Sequence, residues 1–284
     1  MISIASRNLK IFFRDRAAVF FSLLGVLIIL GLYVLFLGDT IAKSLPNIEG
    51  VSFLINSWVV SGILAVISIT STMGAFGIMV EDRSRKILKD FTTSPISRRD
   101  LTSGYILSSF SIGVIMSLIT FVLGELYIVM SGGELLPVVS ILKVIGLILL
   151  SVLASSSIVF FITTLIKSQN AFAAASTVLG TLIGFLTGIY IPIGTLPEAV
   201  QFVVKIFPVS HAGVLLRSVL MERPMEVSFG GAPAEAKQDF ISNMGMVYKF
   251  GDYSVHSWLS IVILVGTTVL FFGLSLLSMM RKSK

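Results

Sequence analysis

Cysteine is absent from the 284-residue sequence, and histidine occurs only twice. Without cysteine the chain has no disulfide bonds and no thiolate metal site. The absence of cysteine does not indicate whether the protein works in an oxidising or a reducing compartment. The two histidines, His211 and His256, lie far apart, and no His-Glu-x-x-His sequence occurs, so a zinc protease is not supported. We interpret both histidines as polar surface residues, and we predict no metal site.

Charged residues are also scarce. They make up 13% of the chain, against about 25% in soluble domains. Hydrophobic residues make up 55%, and the mean hydropathy is +0.98. A water-soluble fold has no interior large enough for so many apolar side chains, so the expected solvent is a lipid bilayer. The predicted fold is an all-α polytopic membrane protein with a single domain, residues 1–284.

The sequence lacks the motifs of an energy source. No G-x-x-x-x-G-K-[ST] sequence occurs, so we expect the chain to bind no ATP or other cofactor itself and to be no enzyme. The apolar runs contain no pair of carboxylates and no ladder of basic residues, which proton pumps and voltage sensors tend to need. A partner must therefore power any work that the protein does.

Six apolar runs are long enough to cross a bilayer as helices, which takes about 20 residues. They are residues 17–37, 53–80, 101–130, 144–166, 171–193 and 258–280. The connecting segments differ in charge. Of the 21 Lys and Arg residues, 14 fall in residues 1–16, 81–100, 167–170 and 281–284. By the positive-inside rule both termini are predicted to be cytoplasmic, and nucleic acid is not an expected partner.

The first sixteen residues predict an amphipathic helix that lies in the membrane interface. Its apolar stripe consists of Ile2, Ala5, Leu9, Phe12 and Phe13. Its basic residues, Arg7, Lys10 and Arg14, are expected on the opposite side.

Residues 81–100, which we call the charged loop, hold ten charged residues in twenty positions. We predict a short cytoplasmic helix over residues 81–92, with Glu81 and Asp82 in its first turn and Lys89 in its last. Pro95 ends that helix, and Ser97 caps the next one, with Asp100 three positions on.

One interpretation of this loop is a solvated topogenic segment. We favour a docking element for a cytoplasmic protein, because one helical face is apolar and the rest carries both signs of charge. The residues predicted to contact the partner are Glu81, Asp82, Arg85, Lys86, Ile87, Leu88, Lys89, Asp90 and Phe91.

Residues 194–257 form the predicted outer segment. Pro192, Pro197 and Pro208 divide Gly188–Arg217, which leads into this segment, into pieces of about ten residues, the length of re-entrant or interfacial helices. We expect this part, which ends at Arg217, to act as a lid or vestibule.

Two features of the apolar runs predict contacts between helices. Gly180, Gly184 and Gly188 form a small-residue ridge that serves either packing within the chain or a dimer interface. Glu125 is the only charge inside a run, and we favour an ion pair with Lys143 over a contact with substrate.

Three stretches together resemble the type-2 ATP-binding-cassette (ABC) exporter permeases. They are "EDRSRKILKDFTTSPISRRDLTSGYIL", "GIYIPIGTLPEAVQFVVKIFPVSHAGVLLR" and "SRNLKIFFRDRAAVFF". The resemblance implies a plasma-membrane subunit that pairs with a second, identical or homologous permease and with cytoplasmic ATPase subunits that bind ATP and Mg²⁺. It also implies that residues 81–92 are the coupling helix and that Gly188–Arg217 gates the outer end. The implied cargo is an amphipathic drug, antibiotic or peptide.

Two other classes of function stay open. A membrane scaffold or sensor would dock a cytoplasmic partner and transport nothing. An ion-coupled secondary transporter would work without ATP, and the scarcity of ionisable groups inside the runs disfavours it.

Overall fold

The computed structural model of the protein describes residues 1–33, 49–88, 91, 96–166, 168–251 and 253–281. These residues form helices and one short β-hairpin, which confirms the predicted all-α class. The helices before the hairpin are α1 (Ile2–Arg14), α2 (Arg16–Leu32), α3 (Val51–Ser84), α4 (Arg98–Met130), α5 (Val138–Leu165), α6 (Gln169–Leu186), a 3₁₀ turn (Ile193–Thr195), α7 (Glu198–Ile206), α8 (Pro208–Leu220), α9 (Glu222–Phe229) and α10 (Ala234–Asn243). The hairpin pairs β1 (Lys249–Phe250) with β2 (Tyr253–Ser254), and α11 (Ser257–Arg281) follows.

Five helices in the described part of the chain are long and apolar enough to cross a membrane, namely α3, α4, α5, α6 and α11. They correspond to the second to sixth predicted runs. The first run, 17–37, is described only as far as Tyr33, and α2 is a shorter apolar helix of 17 residues. Positions 34–37 lie outside the described residues. The bent pair α7 and α8 could count as a sixth crossing by length and composition.

Helix α3 is the centre of the bundle. Its apolar stretch is 83% buried, and it packs against α4, α5 and α8. Two hydrogen bonds between helices support this packing: Ser68 Oγ lies 3.1 Å from Ser155 Oγ, and Ser109 Oγ donates to the carbonyl of Thr72 at 3.3 Å. Small polar side chains thus join α3 to α4 and to α5, as expected inside a membrane protein.

The α3 helix is longer than the run that predicted it. It has 34 residues, or about 51 Å, and continues through Ser84. Glu81 and Asp82 therefore occupy the last turn of α3, so the prediction that they begin a separate helix is wrong. Lys86 then breaks the helix with a φ of +62°.

The rest of the charged loop matches the prediction in part. Ile87, Leu88 and Phe91 are helical, whereas Lys89, Asp90 and Pro95 lie outside the described residues. The predicted cap of α4 is confirmed, because Ser97 Oγ accepts a hydrogen bond from the Asp100 backbone N–H at 3.0 Å.

Helix α6 ends seven residues earlier than predicted. Gly188 has a φ of +67°, and the Ile189 N–H donates to the carbonyl of Gly184 at 3.0 Å. This is a Schellman cap, in which glycine takes the left-handed position. Gly188 is therefore a helix terminator and does not extend the predicted ridge.

The predicted breaks at Pro197 and Pro208 are confirmed. Helices α7 and α8 meet at 88°, and Pro208 occupies the first turn of α8, where its missing N–H costs nothing. Helix α8 lies between α3, α5 and α11 and is buried along most of its length. It therefore belongs to the interior of the bundle rather than to a lid.

Candidate functional site at the foot of α3

The charged end of α3 contains a buried carboxylate. Asp82 is 3% exposed and accepts two hydrogen bonds from Arg7, at 2.7 and 2.9 Å. The Tyr105 hydroxyl of α4 donates a third, at 2.5 Å. Because α3 continues past the apolar run, its last turn carries Asp82 to the level of α1.

Arg7 connects three elements. Its guanidinium binds Asp82 and lies 5.3 Å from the centre of the Phe91 ring in the charged loop. Its Nη1 also donates to the side chain of Asn8 at 2.9 Å. Hydrogen bonding to Asp82 raises the pKa of Arg7 above its usual value, although partial burial opposes this, so Arg7 stays charged.

Helix α1 is also held against α4. Asn8 is fully buried, and its Nδ2 donates to Ser108 Oγ at 3.2 Å. At Gly104 a Cβ atom would lie 2.7 Å from the Cβ of Ile4, so only glycine allows the two helices to cross this closely. We call Arg7, Asn8, Asp82, Phe91, Tyr105 and Ser108 the Arg7 cluster.

The predicted faces of α1 need correction. Its buried residues are Ile4, Ala5, Asn8 and Phe12. Ile2 is 73% exposed, and Arg7 points into the bundle rather than away from it. The hydropathy pattern missed this because Arg7 and Asn8 find polar partners on α3 and α4.

The charged loop presents charge rather than an apolar ridge. Leu88 packs against the hydrophobic core, and Ile87 and Phe91 are half-buried. Arg85 and Lys86 are exposed, and Arg85 forms an ion pair with Glu81 at 2.7 Å. The apolar residues predicted to meet a partner therefore hold the loop to its own chain.

Arg83 has a role that its position in the sequence did not reveal. Its Nη1 donates to the carbonyls of Thr163 and Ile166, at 3.1 and 2.9 Å. These carbonyls belong to the end of α5, where the helix leaves acceptors unpaired. The available signal was a single Arg one turn beyond an apolar run, which is also what the positive-inside rule produces.

Arg217 also donates hydrogen bonds to carbonyls at the end of a helix, in this case α6, near the end of the bundle opposite to Arg83. It is fully buried, and its Nη2 donates to the carbonyls of Thr187 and Gly188 at 2.8 and 3.2 Å. Its Nη1 donates to the carbonyl of Gly245 at 3.3 Å, and the guanidinium lies 5.3 Å from the centre of a Trp58 ring. Arg217 thus joins the end of α6, the segment after α10, and α3.

A groove opens between α2, α3 and α6, and its volume is about 830 Å³. Its walls are mostly apolar, with Thr70 and Ser22 among the polar groups. A Cβ added at Gly180 would meet nothing within 4 Å, whereas one at Gly184 would collide with the ring of Tyr190. Of the predicted ridge, Gly184 serves packing within the chain and Gly180 faces the groove.

The predicted ion pair between Glu125 and Lys143 is wrong. Glu125 is 6% exposed, and its Oε2 accepts from the Leu136 N–H at 3.3 Å. Its Oε1 has no partner among the residues that the structure describes. Lys143 lies 3.9 Å from Glu222 instead. The reason is that α5 begins six residues earlier than predicted, at Val138, so the loop backbone reaches Glu125 first.

His211 is likewise not a surface residue. It is 2% exposed, with Nδ1 lying 3.0 Å from Ser260 Oγ and Nε2 lying 3.0 Å from the carbonyl of Lys205. Burial follows from the insertion of α8 between other helices. His256 is exposed, as predicted.

Comparison with known proteins decides the family. Residues 39–277 match the sequence profile described as ABC-2 family transporter protein. The chain belongs to the ABC-2 transporter family. It is also similar to "Nodulation protein J" of Rhizobium meliloti (strain 1021), with 32% identity over 87 residues. That match covers 31% of this chain and 33% of the relative, so it spans about a third of each protein.

Membership in the ABC-2 family gives the Arg7 cluster a context. The chain is a multi-pass membrane protein of this transporter family. The cluster joins α1, the charged loop and the ends of α3 and α4 through hydrogen bonds, an ion pair and the contact of Arg7 with the Phe91 ring.

The surroundings of Glu125 lead to a prediction about this ABC-2 subunit. Glu125→Gln keeps the size of the side chain and an acceptor for the Leu136 N–H, so the free energy of unfolding should change by less than about 1 kcal/mol. Lys143→Ala should cost less than about 1 kcal/mol, since its partner is exposed. Thermal unfolding of the purified variants measures both. A Lys143→Ala loss as large as that of Glu125→Ala would restore the ion pair.

Proposed function

We propose that the chain is the permease subunit of an ABC exporter in the plasma membrane, with both termini in the cytoplasm. In this proposal it pairs with a second permease subunit, and separate cytoplasmic ATPase subunits drive it. The observation that carries the proposal is the bidentate pair between Arg7 and Asp82, supported by Tyr105. A soluble motor that moves the charged loop would thereby move α1, α3 and α4 together.

The docking surface of this proposal is the exposed part of the charged loop. Arg85, Lys86, Arg98 and Arg99 are exposed, and in the sequence they flank the half-buried Phe91. Charges at a rim steer a partner and fix its orientation more than they add affinity. In the coupling role proposed for residues 81–92, the exposed charges contact the partner. The half-buried Ile87, Leu88 and Phe91 anchor the loop to its own chain.

The groove between α2, α3 and α6 is the proposed half of a translocation path. It is open along one side, and Phe172, Ala173 and Gly180 of α6 form part of its wall. A second permease subunit placed there would close the groove and bury this face. The mostly apolar walls favour an amphipathic drug, antibiotic or peptide as cargo.

The proposed outer gate consists of α7 and the turns at Pro192 and Pro197. Helix α8 and Arg217 are its fixed support, because both are buried and Arg217 binds three backbone carbonyls. Motion in the gate is therefore assigned to α7, which is largely exposed.

The docking proposal is tested by reversing charge on the loop. Arg85→Glu with Lys86→Glu should lower the amount of ATPase subunit that co-purifies with the permease by about tenfold or more, because like charges then meet at the rim. Both residues are exposed, so membrane insertion should not change, and loss of the Arg85–Glu81 pair should lower the free energy of unfolding by less than about 1 kcal/mol.

The matched control is Lys143→Glu with Lys237→Glu, which makes the same charge change on exposed residues at the opposite end. It should retain the ATPase subunit. Undiminished co-purification in the loop variant, or an equal loss in the control, would contradict the assignment of the docking surface.

A further inference from the structure

Helix α7 exposes an apolar face that the rest of the described chain does not cover. Phe202, Val203 and Ile206 are each more than half exposed, and Val200 is 42% exposed. Helix α7 has nine residues and lies at 88° to α8. A short helix with an apolar face, set at right angles to a helix within the bundle, has the form of a segment lying in the membrane interface.

Aromatic residues mark the same level of the molecule. The ring of Phe250 meets that of Phe202 edge-on, with centres 6.4 Å apart. Tyr253 is 52% exposed, and Trp258, at the start of α11, is 60% exposed. Exposed Trp and Tyr residues are typical of the boundary between the acyl chains and the headgroups. The apolar face of α7 is thus next to acyl chains, and its polar edge is next to headgroups.

A pocket of about 180 Å³ with both polar and apolar lining residues adjoins that edge. Gln201 and Lys205 of α7 line one side, and Ser242, Asn243 and Lys249 are also in the lining. Among the residues that the structure describes, this lining contains no carboxylate. Ser242 Oγ is buried and has no hydrogen-bond partner in the described part of the chain. Within the described residues no ion pair joins Lys205 or Lys249 to a carboxylate. The pocket therefore offers two cations and a free hydroxyl to an anion.

The pocket is built into the fold rather than left on a loose surface. The carbonyl of Lys205 lies 3.0 Å from Nε2 of the buried His211, and His211 in turn contacts Ser260 of α11. On the other side, the 3₁₀ turn packs so closely on α10 that a Cβ added at Gly194 would collide with the side chain of Asn243. Both walls are thus held by the bundle.

The size of the pocket limits what it can hold. Pockets that enclose drug-sized ligands measure about 300–1,000 Å³, and this one is smaller. It has room for a charged headgroup, and the apolar part of an amphiphile would have to lie outside it. The exposed face of α7 begins at the pocket edge, where Phe250 adjoins both Lys205 and Phe202.

We infer that this pocket binds the anionic headgroup of a phospholipid from the leaflet on the α7 side. Lys205 and Lys249 neutralise the phosphate, and Ser242 and Asn243 complete its hydrogen bonds. The acyl chains lie along Phe202, Val203 and Ile206. The site is separate from the groove and does not depend on the transport function proposed above.

Native mass spectrometry of the purified full-length chain tests the inference. Phosphatidylglycerol should bind more tightly than phosphatidylcholine by about tenfold or more, because each lysine near an anionic lipid strengthens binding several-fold. Lys205→Gln with Lys249→Gln should abolish that preference. Lys143→Gln with Lys237→Gln, which removes the same charge from exposed lysines elsewhere, should retain it.

Two further arms identify the source of the anion. Phe202→Ser with Val203→Ser should weaken phosphatidylglycerol binding while leaving the pocket intact, because the acyl chains lose their contact. Competition with sn-glycerol 3-phosphate should be weak. Equal affinity for this soluble headgroup would replace the lipid by a soluble anion, and an unchanged preference in the Lys205/Lys249 variant would overturn the site. Unchanged thermal unfolding shows that each variant is folded.

Discussion

Arg217→Ala is expected to reduce the stability of the chain more than Asp82→Asn or the loss of any exposed charge. The change leaves the carbonyls of Thr187, Gly188 and Gly245 without their donor inside the protein and removes the cation from the face of Trp58. Unsatisfied buried acceptors and the lost contact together should lower the free energy of unfolding by at least about 3 kcal/mol.

The two tryptophans make this result measurable at the site itself. Trp58 lies beneath Arg217, and its Nε1 donates to the carbonyl of Met244 at 2.8 Å. In a Trp258→Phe background, Trp58 is the remaining tryptophan. Its emission should shift in the Arg217→Ala variant at temperatures well below the unfolding midpoint.

Two variants serve as controls for this prediction. Arg217→Lys keeps the charge but has no planar fork to reach three carbonyls, so its stability should fall between those of the native chain and Arg217→Ala. Arg223→Ala removes an exposed arginine that pairs with Glu134 and Glu226, and it should change stability little. Equal losses for Arg217→Ala and Arg223→Ala would mean that Arg217 is not a structural cap.

In the Asp82→Asn variant we expect the proposed ATPase subunit to bind as before, but its coupling to the permease to be weaker. The substitution keeps the shape of the side chain but leaves Arg7 without its counter-charge. We expect a loss of about 2 to 3 kcal/mol in the free energy of unfolding, at or below the low end for buried pairs because the Arg7 side chain is 31% exposed and can turn to water.

The functional measurement is the stimulation of ATP hydrolysis by a transported compound in reconstituted vesicles. Asp82→Asn should reduce this stimulation while the proposed ATPase subunit still co-purifies, because the proposed docking residues Arg85 and Lys86 are unchanged. A double-mutant cycle with Arg7→Gln should give a coupling energy above about 1 kcal/mol. Tyr105→Phe removes one hydrogen bond and should cost about 1 kcal/mol.

Two outcomes would contradict the transmitting role of the Arg7 cluster. In the first, Asp82→Asn is stable and shows full stimulation of ATP hydrolysis. In the second, the effects of Asp82→Asn and Arg7→Gln simply add, which would mean that the two side chains act independently.

Local chemistry made part of this structure predictable from the sequence. Runs of apolar residues gave five spanning helices, Ser97 gave the start of α4, and Pro197 and Pro208 gave the breaks around α7. Each of these depends on residues within one or two turns of each other. Hydropathy, capping and the missing N–H of proline act at that range.

Contacts between distant parts of the chain account for the errors. Arg7 and Asp82 are 75 positions apart, and Arg217 lies 28 positions from Gly245. The spacing of Gly180, Gly184 and Gly188 is the same whether the helix continues or ends at a Schellman cap. Glu125 and Lys143 lie in consecutive helices, α4 and α5, but the backbone of Leu136 lies nearer to Glu125 than Lys143 does. No periodicity distinguishes these cases.

The length of α3 has a mechanical consequence. Asp82 and Trp58 belong to this one helix, about 36 Å apart along its axis, and no proline interrupts it. If α3 tilts at Asp82, where α1 contacts it, Trp58 at the other end of the helix should therefore move sideways. Arg217 contacts Trp58 and should oppose this movement. Stiffening the Asp82 end or the Trp58 end of α3 should therefore raise the force needed to move the other end.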